Sequence, residues 1–175
     1  MTVCVSGGIE TQYPGEDRVR LKSPAVATYD MQPEMGAYEV TDKVVEAVWS
    51  KKYDASIVIH ANCDMVGHTG VMEAATRAVE VVDECLARVV PALLAMDYQV
   101  LITAGHGNAE EMIDYETGLV KTSHTTFPVE CIYVANEPVA RLVDKKGKLS
   151  DLAPSLLHLM ELAVPKEMTA DDLFK

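Results

Sequence analysis

Residues 56–70 read Ser-Ile-Val-Ile-His-Ala-Asn-Cys-Asp-Met-Val-Gly-His-Thr-Gly. The first six are an apolar, β-branched run of strand length; the rest turn polar and glycine-bearing. The pattern recurs further along the chain. Residues 100–104 form a second apolar run, followed by Gly105-His106-Gly107-Asn108-Ala109-Glu110. Residues 129–134 form a third, preceded by Thr122-Ser123-His124-Thr125-Thr126. Helical spacing lies around these runs. Val44, Val45 and Val48 mark a helix beginning near Gly36, and residues 152–162 a last one, punctuated by Pro165. Ala75, Val79, Val82, Leu86, Val89 and Val90 share one face of a helix over 73–90, which Pro91 should kink or restart. Short apolar strands separated by helices predict an α/β fold, mainly a parallel sheet with helices on both faces. Ligands gather at the carboxyl ends of such strands, which draws attention to the residues after Ala61 and Ala104.

Towards the N-terminus, residues 2–6 read as a short strand ended by Gly7-Gly8. Residues 9–35, broken by Pro14-Gly15, Pro24 and Pro33, read as an extended connection. A chain of 175 residues without internal repeats suits one domain over 1–175. Hydrophobic residues at 49% and charged residues at 24% argue against disorder. Fifteen Lys+Arg against 27 Asp+Glu give a charge of −12, which disfavours nucleic acid and anionic membranes as partners. Such a surface is either simply solvated or collects metal ions. Charges interrupt every candidate membrane span, and the first residues lack the basic and apolar regions of a secretory signal. Cys4, Cys63, Cys85 and Cys131 lie far apart without a CxxC pair, which suits a reducing cytoplasm.

The spacing from Asp64 to His68 lets both side chains approach one ion if the segment curls into a helical turn. Carboxylate plus imidazole suits Mn or Zn, and two or three protein ligands leave positions for water or a phosphate. A helix cap followed by a solvated histidine gives the same spacing. His68, His106 and His124, all in polar or glycine-rich loops beside strand ends, keep both readings open. His60 and His158 lie inside apolar patterns and read as structural.

Several of these stretches together resemble the cofactor-independent phosphoglycerate mutases. They are Asn-Cys-Asp-Met-Val-Gly-His-Thr-Gly at 62–70, Ala-Gly-His-Gly-Asn-Ala-Glu-Glu-Met at 104–112 and Ser-His-Thr-Thr at 123–126. Pro-Gly-Glu-Asp-Arg at 14–18, Val-Ala-Thr-Tyr-Asp-Met-Gln-Pro-Glu-Met at 26–35 and Ala-Pro-Ser-Leu-Leu at 153–157 extend the likeness through the chain in matching order. The resemblance implies an alkaline-phosphatase-like fold, incomplete here, because the likeness is to the C-terminal, metal-binding portion of the family. It also implies interconversion of 2- and 3-phosphoglycerate through a phosphoserine, with two metals, usually Mn, while Mg, Co and Zn are alternatives. A two-metal clamp activates the nucleophile and offsets charge on the transferring phosphoryl group.

Carried over by position, Asp64, His68 and His124 match the ligands of one metal, and His106 is what remains of the second site. Gly105 stands where the family has an aspartate, and Ala25 where it has a lysine. Lys22 is a nearby candidate to contact substrate in that lysine's place. No residue here matches the serine nucleophile or the phosphotransferase domain, so the chain alone is expected to be inactive. The expected partners are phosphoglycerate, if the site is completed, and either a second copy or a complementary N-terminal segment covering an exposed sheet edge. Two other readings stay open. One is a non-catalytic binding or scaffold descendant; the other is a one-metal phosphatase, for which Arg18 and Arg20 are the only nearby phosphate-binding arginines.

Overall fold

The computed structural model describes residues 7–143 and 146–175. The strand expected at 2–6, and Cys4 with it, lie outside the described residues. Among the described residues, four helices and two strands follow in order: α1 Ala37–Ser50, α2 Asn62–Gly67, α3 Met72–Ala95, β1 Val100–Thr103, β2 Cys131–Val134 and α4 Leu152–Leu159. Single turns of 3-10 helix at Tyr29–Met31 and Leu149–Asp151 complete the set.

The core is helical and built from small side chains. Ala74, Ala75, Ala78, Val81, Cys85, Val89 and Ala92 form the buried face of α3. Ala75 and Ala78 cluster with Val66 of α2 and with Met112, and Tyr29 and Met35 pack over them. Further along, Val81 and Cys85 meet Ala37 of α1. Small side chains let helix backbones approach closely, so α1 and the short α2 are both held against one long helix. The buried stripe overlaps the expected one at Ala75 and Val89, with Val82, Leu86 and Val90 half-buried, and departs from it at Val79. Val79 lies half exposed at 50%, while its neighbour Ala78 is fully buried. Close approach to α1 and α2 favours small side chains, which turns the buried face slightly toward the alanines.

Helix α3 also runs on through Pro91 to Ala95. A proline at this position removes one hydrogen bond near the last turn, where the helix is about to end anyway. At α1, Gly36 stands at the N-cap as expected, and Lys51 closes the helix in the left-handed region at φ 56°.

The sheet departs from expectation in two ways. β1 and β2 pair antiparallel, with Val100 opposite Val134 and Thr103 opposite Cys131. A parallel pair needs a crossover, usually a helix, and residues 104–130 supply none. That segment instead folds back through bridges between Ile113 and Val120 and between Gly107 and Thr125. The second departure is at 56–61, which is extended but has no ladder partner among the described residues. Ile57, Val58 and Ile59 are 62%, 38% and 39% exposed. A β-branched apolar run is buried only between neighbouring strands, and no described strand flanks this one.

The extended N-terminal connection is held by Arg18 and by Asp17, whose carboxylate accepts from Lys52 and from the Tyr53 hydroxyl. The Arg18 guanidinium donates to the carbonyls of Ile9, Glu10 and Thr11 and pairs with Glu16. It then joins the helices through Asn62, whose amide donates to the carbonyls of Pro33 and Glu34, both at 2.8 Å. At the other end, His158 of α4 pairs with Asp172, and the edge of its ring meets Phe174 (centroids 6.1 Å apart). His158 thus ties α4 to the C-terminal segment.

The two faces of α3 give a direct test. Ala78→Leu should destabilise the chain by about 1–3 kcal/mol through overpacking, whereas Val79→Ala should stay within about 0.5 kcal/mol. Urea denaturation of both variants checks which face is buried.

Candidate metal centre

Asp64 lies in the first turn of α2 and His68 caps its C-terminus, with the His68 backbone N–H donating to the Asp64 carbonyl at 3.0 Å. One helical turn therefore puts both side chains on the same face. Asn62, fully buried and tied to the 33–34 carbonyls, fixes where this helix starts. Helix α2 ends against the segment that brings in His124. Gly70 takes φ 75°, and a Cβ there would meet Val120 at 2.5 Å, so glycine meets both demands. The Lys121 N–H donates to the Met112 carbonyl, and the Thr125 N–H to the Gly107 carbonyl at 3.0 Å. His124 is delivered between these two anchors.

Three Lewis-basic atoms converge as a result. Asp64 Oδ1 lies 3.2 Å from His68 Nε2 and 3.0 Å from His124 Nε2, and the two Nε2 atoms are 3.1 Å apart. Among the described residues these three form a cluster able to hold a metal ion. For donors about 2.1 Å from an ion, adjacent donors sit about 3.0 Å apart in octahedral and about 3.4 Å apart in tetrahedral coordination. The observed triangle fits a divalent ion held by one carboxylate and two imidazoles.

The tautomer of His68 agrees with that fit. Its Nδ1 lies 2.5 Å from the Thr122 carbonyl oxygen, which can only accept. Nδ1 therefore carries the proton, leaving the Nε2 lone pair facing Asp64 and His124. The side chains of Asp64, His68 and His124 are 33%, 38% and 48% exposed, so one side of the triangle opens to solvent or substrate.

His106 sits beside the triangle rather than in it. Its ring stacks on His124 with centroids 3.6 Å apart, and its Nδ1 is 4.0 Å from Asp64 Oδ1. A Cβ at the neighbouring Gly105 would meet nothing within 4 Å. Lys22 lies elsewhere: it lines a pocket of about 110 Å³ with Gly36, His60 and Asn62, and none of the four site residues lines that pocket. His60 there is largely buried, which lowers its pKa, and its Nδ1 has no hydrogen-bond partner.

Two further residues of the 104–112 stretch, Asn108 and Glu110, support the centre. Glu110 accepts from the Asn108 backbone N–H at 2.6 Å and from the Thr125 hydroxyl, joining the His106 loop to the His124 segment. Burial would raise the Glu110 carboxyl, but the hydrogen bonds from Thr125 and from the backbone N–H groups of Glu110 and Asn108 outweigh it and hold it below the usual carboxylate range. Asn108 is 4% exposed and donates to Asp64 Oδ1 at 3.0 Å. The signal for both is a polar side chain set between glycine and apolar residues in a ligand-bearing loop, which spacing alone does not separate from solvated residues.

The metalloenzyme superfamily matches residues 1–164, and the chain belongs to it. Among curated relatives, the 2,3-bisphosphoglycerate-independent phosphoglycerate mutase of Acetivibrio thermocellus is 54% identical over 99% of this chain and 33% of its own length. The 2,3-bisphosphoglycerate-independent phosphoglycerate mutase 1 of Methanosarcina acetivorans is 53% identical over 99% of this chain, again 33% of its own. The chain thus spans about a third of the length of the curated relatives it matches. A crystal structure of Leishmania mexicana phosphoglycerate mutase, determined at low cobalt concentration, matches with a TM-score of 0.80. It shares 27% identity and covers 89% of this chain and 31% of that one. The fold is accordingly α/β and alkaline-phosphatase-like, with a partial sheet.

The loop geometry separates two glycines. A Cβ at Gly107 would collide with Glu110 and Thr125, whereas Gly105 faces open space. Gly107→Ala should therefore lower stability by about 1–3 kcal/mol, and Gly105→Ala should be tolerated. Thermal melts of the two variants, side by side, check the difference.

Proposed function

We propose that this chain is the metal-binding part of a phosphoglycerate mutase, serving the interconversion of 2- and 3-phosphoglycerate by two-metal phosphoryl transfer. The observation that carries the reading is the triangle of Asp64 Oδ1, His68 Nε2 and His124 Nε2, in a chain 54% identical to such enzymes over 99% of its length. Mn is our choice of ion, with Mg, Co or Zn as alternatives, since one carboxylate and two imidazoles suit each of them to different degrees. A bound divalent ion supplies positive charge and Lewis acidity to the transferring phosphoryl group.

The chain's own residues prepare that position. Thr122 holds the His68 proton on Nδ1, the Asn108 amide faces the Asp64 carboxylate, and Glu110 fastens the segment carrying His124. His106, stacked on His124, remains the only retained ligand of the second site, because Gly105 offers no carboxylate. Arg18 is committed to Ile9, Glu10, Thr11 and Glu16, which weighs against the one-metal phosphatase reading that would use it. Lys22 as a substrate contact would have to act from its separate pocket.

The exposed run Ile57-Val58-Ile59 needs covering, and a complementary segment or a second copy would supply it. Cys63, Cys85 and Cys131 are free thiols, in keeping with a reducing cytoplasm. No helix among the described residues is long and apolar enough to cross a membrane.

Calorimetric titration with Mn should give one ion per chain and none in His68→Ala; no binding by the unaltered chain would move the scaffold reading ahead. Gly105→Asp should add a second ion, since its side chain enters open space beside His106. These 175 residues alone should show no mutase turnover, and turnover that disappears in His68→Ala would overturn that expectation.

A further inference from the structure

We propose that Asn108 is a positioning residue for this centre: its amide, seated in space that Gly67 leaves, holds the Asp64 carboxylate toward His68 and His124. The inference rests on reading Asp64, His68 and His124 as a divalent metal site.

Asp64 Oδ1 is the atom that faces both imidazoles, and a partly exposed carboxylate is otherwise free to rotate away from them. Asn108 Nδ2 donates to that same oxygen at 3.0 Å and lies 3.4 Å from the Asp64 backbone oxygen. The amide nitrogen therefore holds Asp64 through both its carboxylate and its backbone carbonyl. Nδ2 also lies 3.4 Å from His68 Nδ1, but both atoms carry protons once Thr122 has fixed the tautomer, so this is packing rather than a hydrogen bond.

The other end of the amide has no partner. Asn108 Oδ1 is buried and unpaired, although the residue is 4% exposed. A leucine has the same branched skeleton and no orphan acceptor, so an apolar filler of this shape would avoid the cost of the unpaired oxygen. The donor side of the amide is what accounts for it. Gly67 makes the seat: a Cβ there would come within 2.6 Å of Asn108 Oδ1 and 3.0 Å of its Cγ. The glycine at the end of α2 and the amide in the loop after β1 therefore act as a pair. The Glu110 carboxylate, accepting from the Asn108 backbone N–H at 2.6 Å, sets where that amide emerges.

The test is Mn titration of the full chain by calorimetry, with the visible absorption of bound Co²⁺ as a second readout. Asn108→Ala should bind one ion about 10- to 100-fold more weakly, with a changed Co²⁺ spectrum because Asp64 is no longer held in place. Asn108→Leu, which keeps the branched shape but removes the donor, should show the same two changes. Gly67→Ala should weaken binding by displacing the amide, and Gly67→Ala combined with Asn108→Ala should be no weaker than Asn108→Ala alone. Unchanged affinity and spectrum in both Asn108 variants, with one ion still bound by the unaltered chain and lost in His68→Ala, would overturn the positioning role while leaving the metal site standing. Additive losses at 67 and 108 would also overturn it. An unaltered chain that binds no Mn would overturn the metal site itself, and the positioning role with it.

Discussion

The alanine face of α3 is the constraint on which the rest depends. Ala74, Ala75 and Ala78 let α2 lie close against the long helix, and α2 is only six residues long. A helix that short has little stability of its own and holds its shape through packing. Asp64 and His68 project from it, so their relative placement comes from Val66 seated among those alanines and from Asn62 tied to the 33–34 carbonyls. The chemistry of the site is thus secured by small apolar side chains that carry no chemistry themselves.

Electrostatics pulls the other way. A carboxylate oxygen and two nitrogen lone pairs about 3 Å apart repel one another unless a proton or a cation lies between them. The chain's −12 charge adds to that repulsion while raising the local concentration of cations. Such a site trades intrinsic stability for affinity. Its supports are neutral donors or remote carboxylates: the Asn108 amide touches Asp64, while Glu110 acts from behind the loop.

The helices and the site residues were legible to different degrees for identifiable reasons. The start of α1 at Gly36 and the Asp64–His68 spacing are local signals, and local signals survive folding. The buried face of α3 is legible at Ala75 and Val89 but not at Val79, which carries more hydrophobicity than Ala78, whereas close approach rewards small size. The antiparallel pairing of β1 and β2 follows from what residues 104–130 lack, a helix, and the expectation of a parallel sheet gave that absence too little weight. The run at 56–61 has every local mark of a strand, but a strand is defined by neighbours, which periodicity cannot supply. Asn108 was passed over because an amide's role depends on what lies opposite it across 44 residues of sequence.

The open space beside Gly105 has an evolutionary consequence. No neighbouring side chain has grown into the position, and a Cβ there would touch nothing. A larger side chain at 105, a carboxylate included, needs no compensating change in its neighbours. The glycine is therefore not locked in by its surroundings. Gly107, crowded by Glu110 and Thr125 two residues later, has no such freedom to drift.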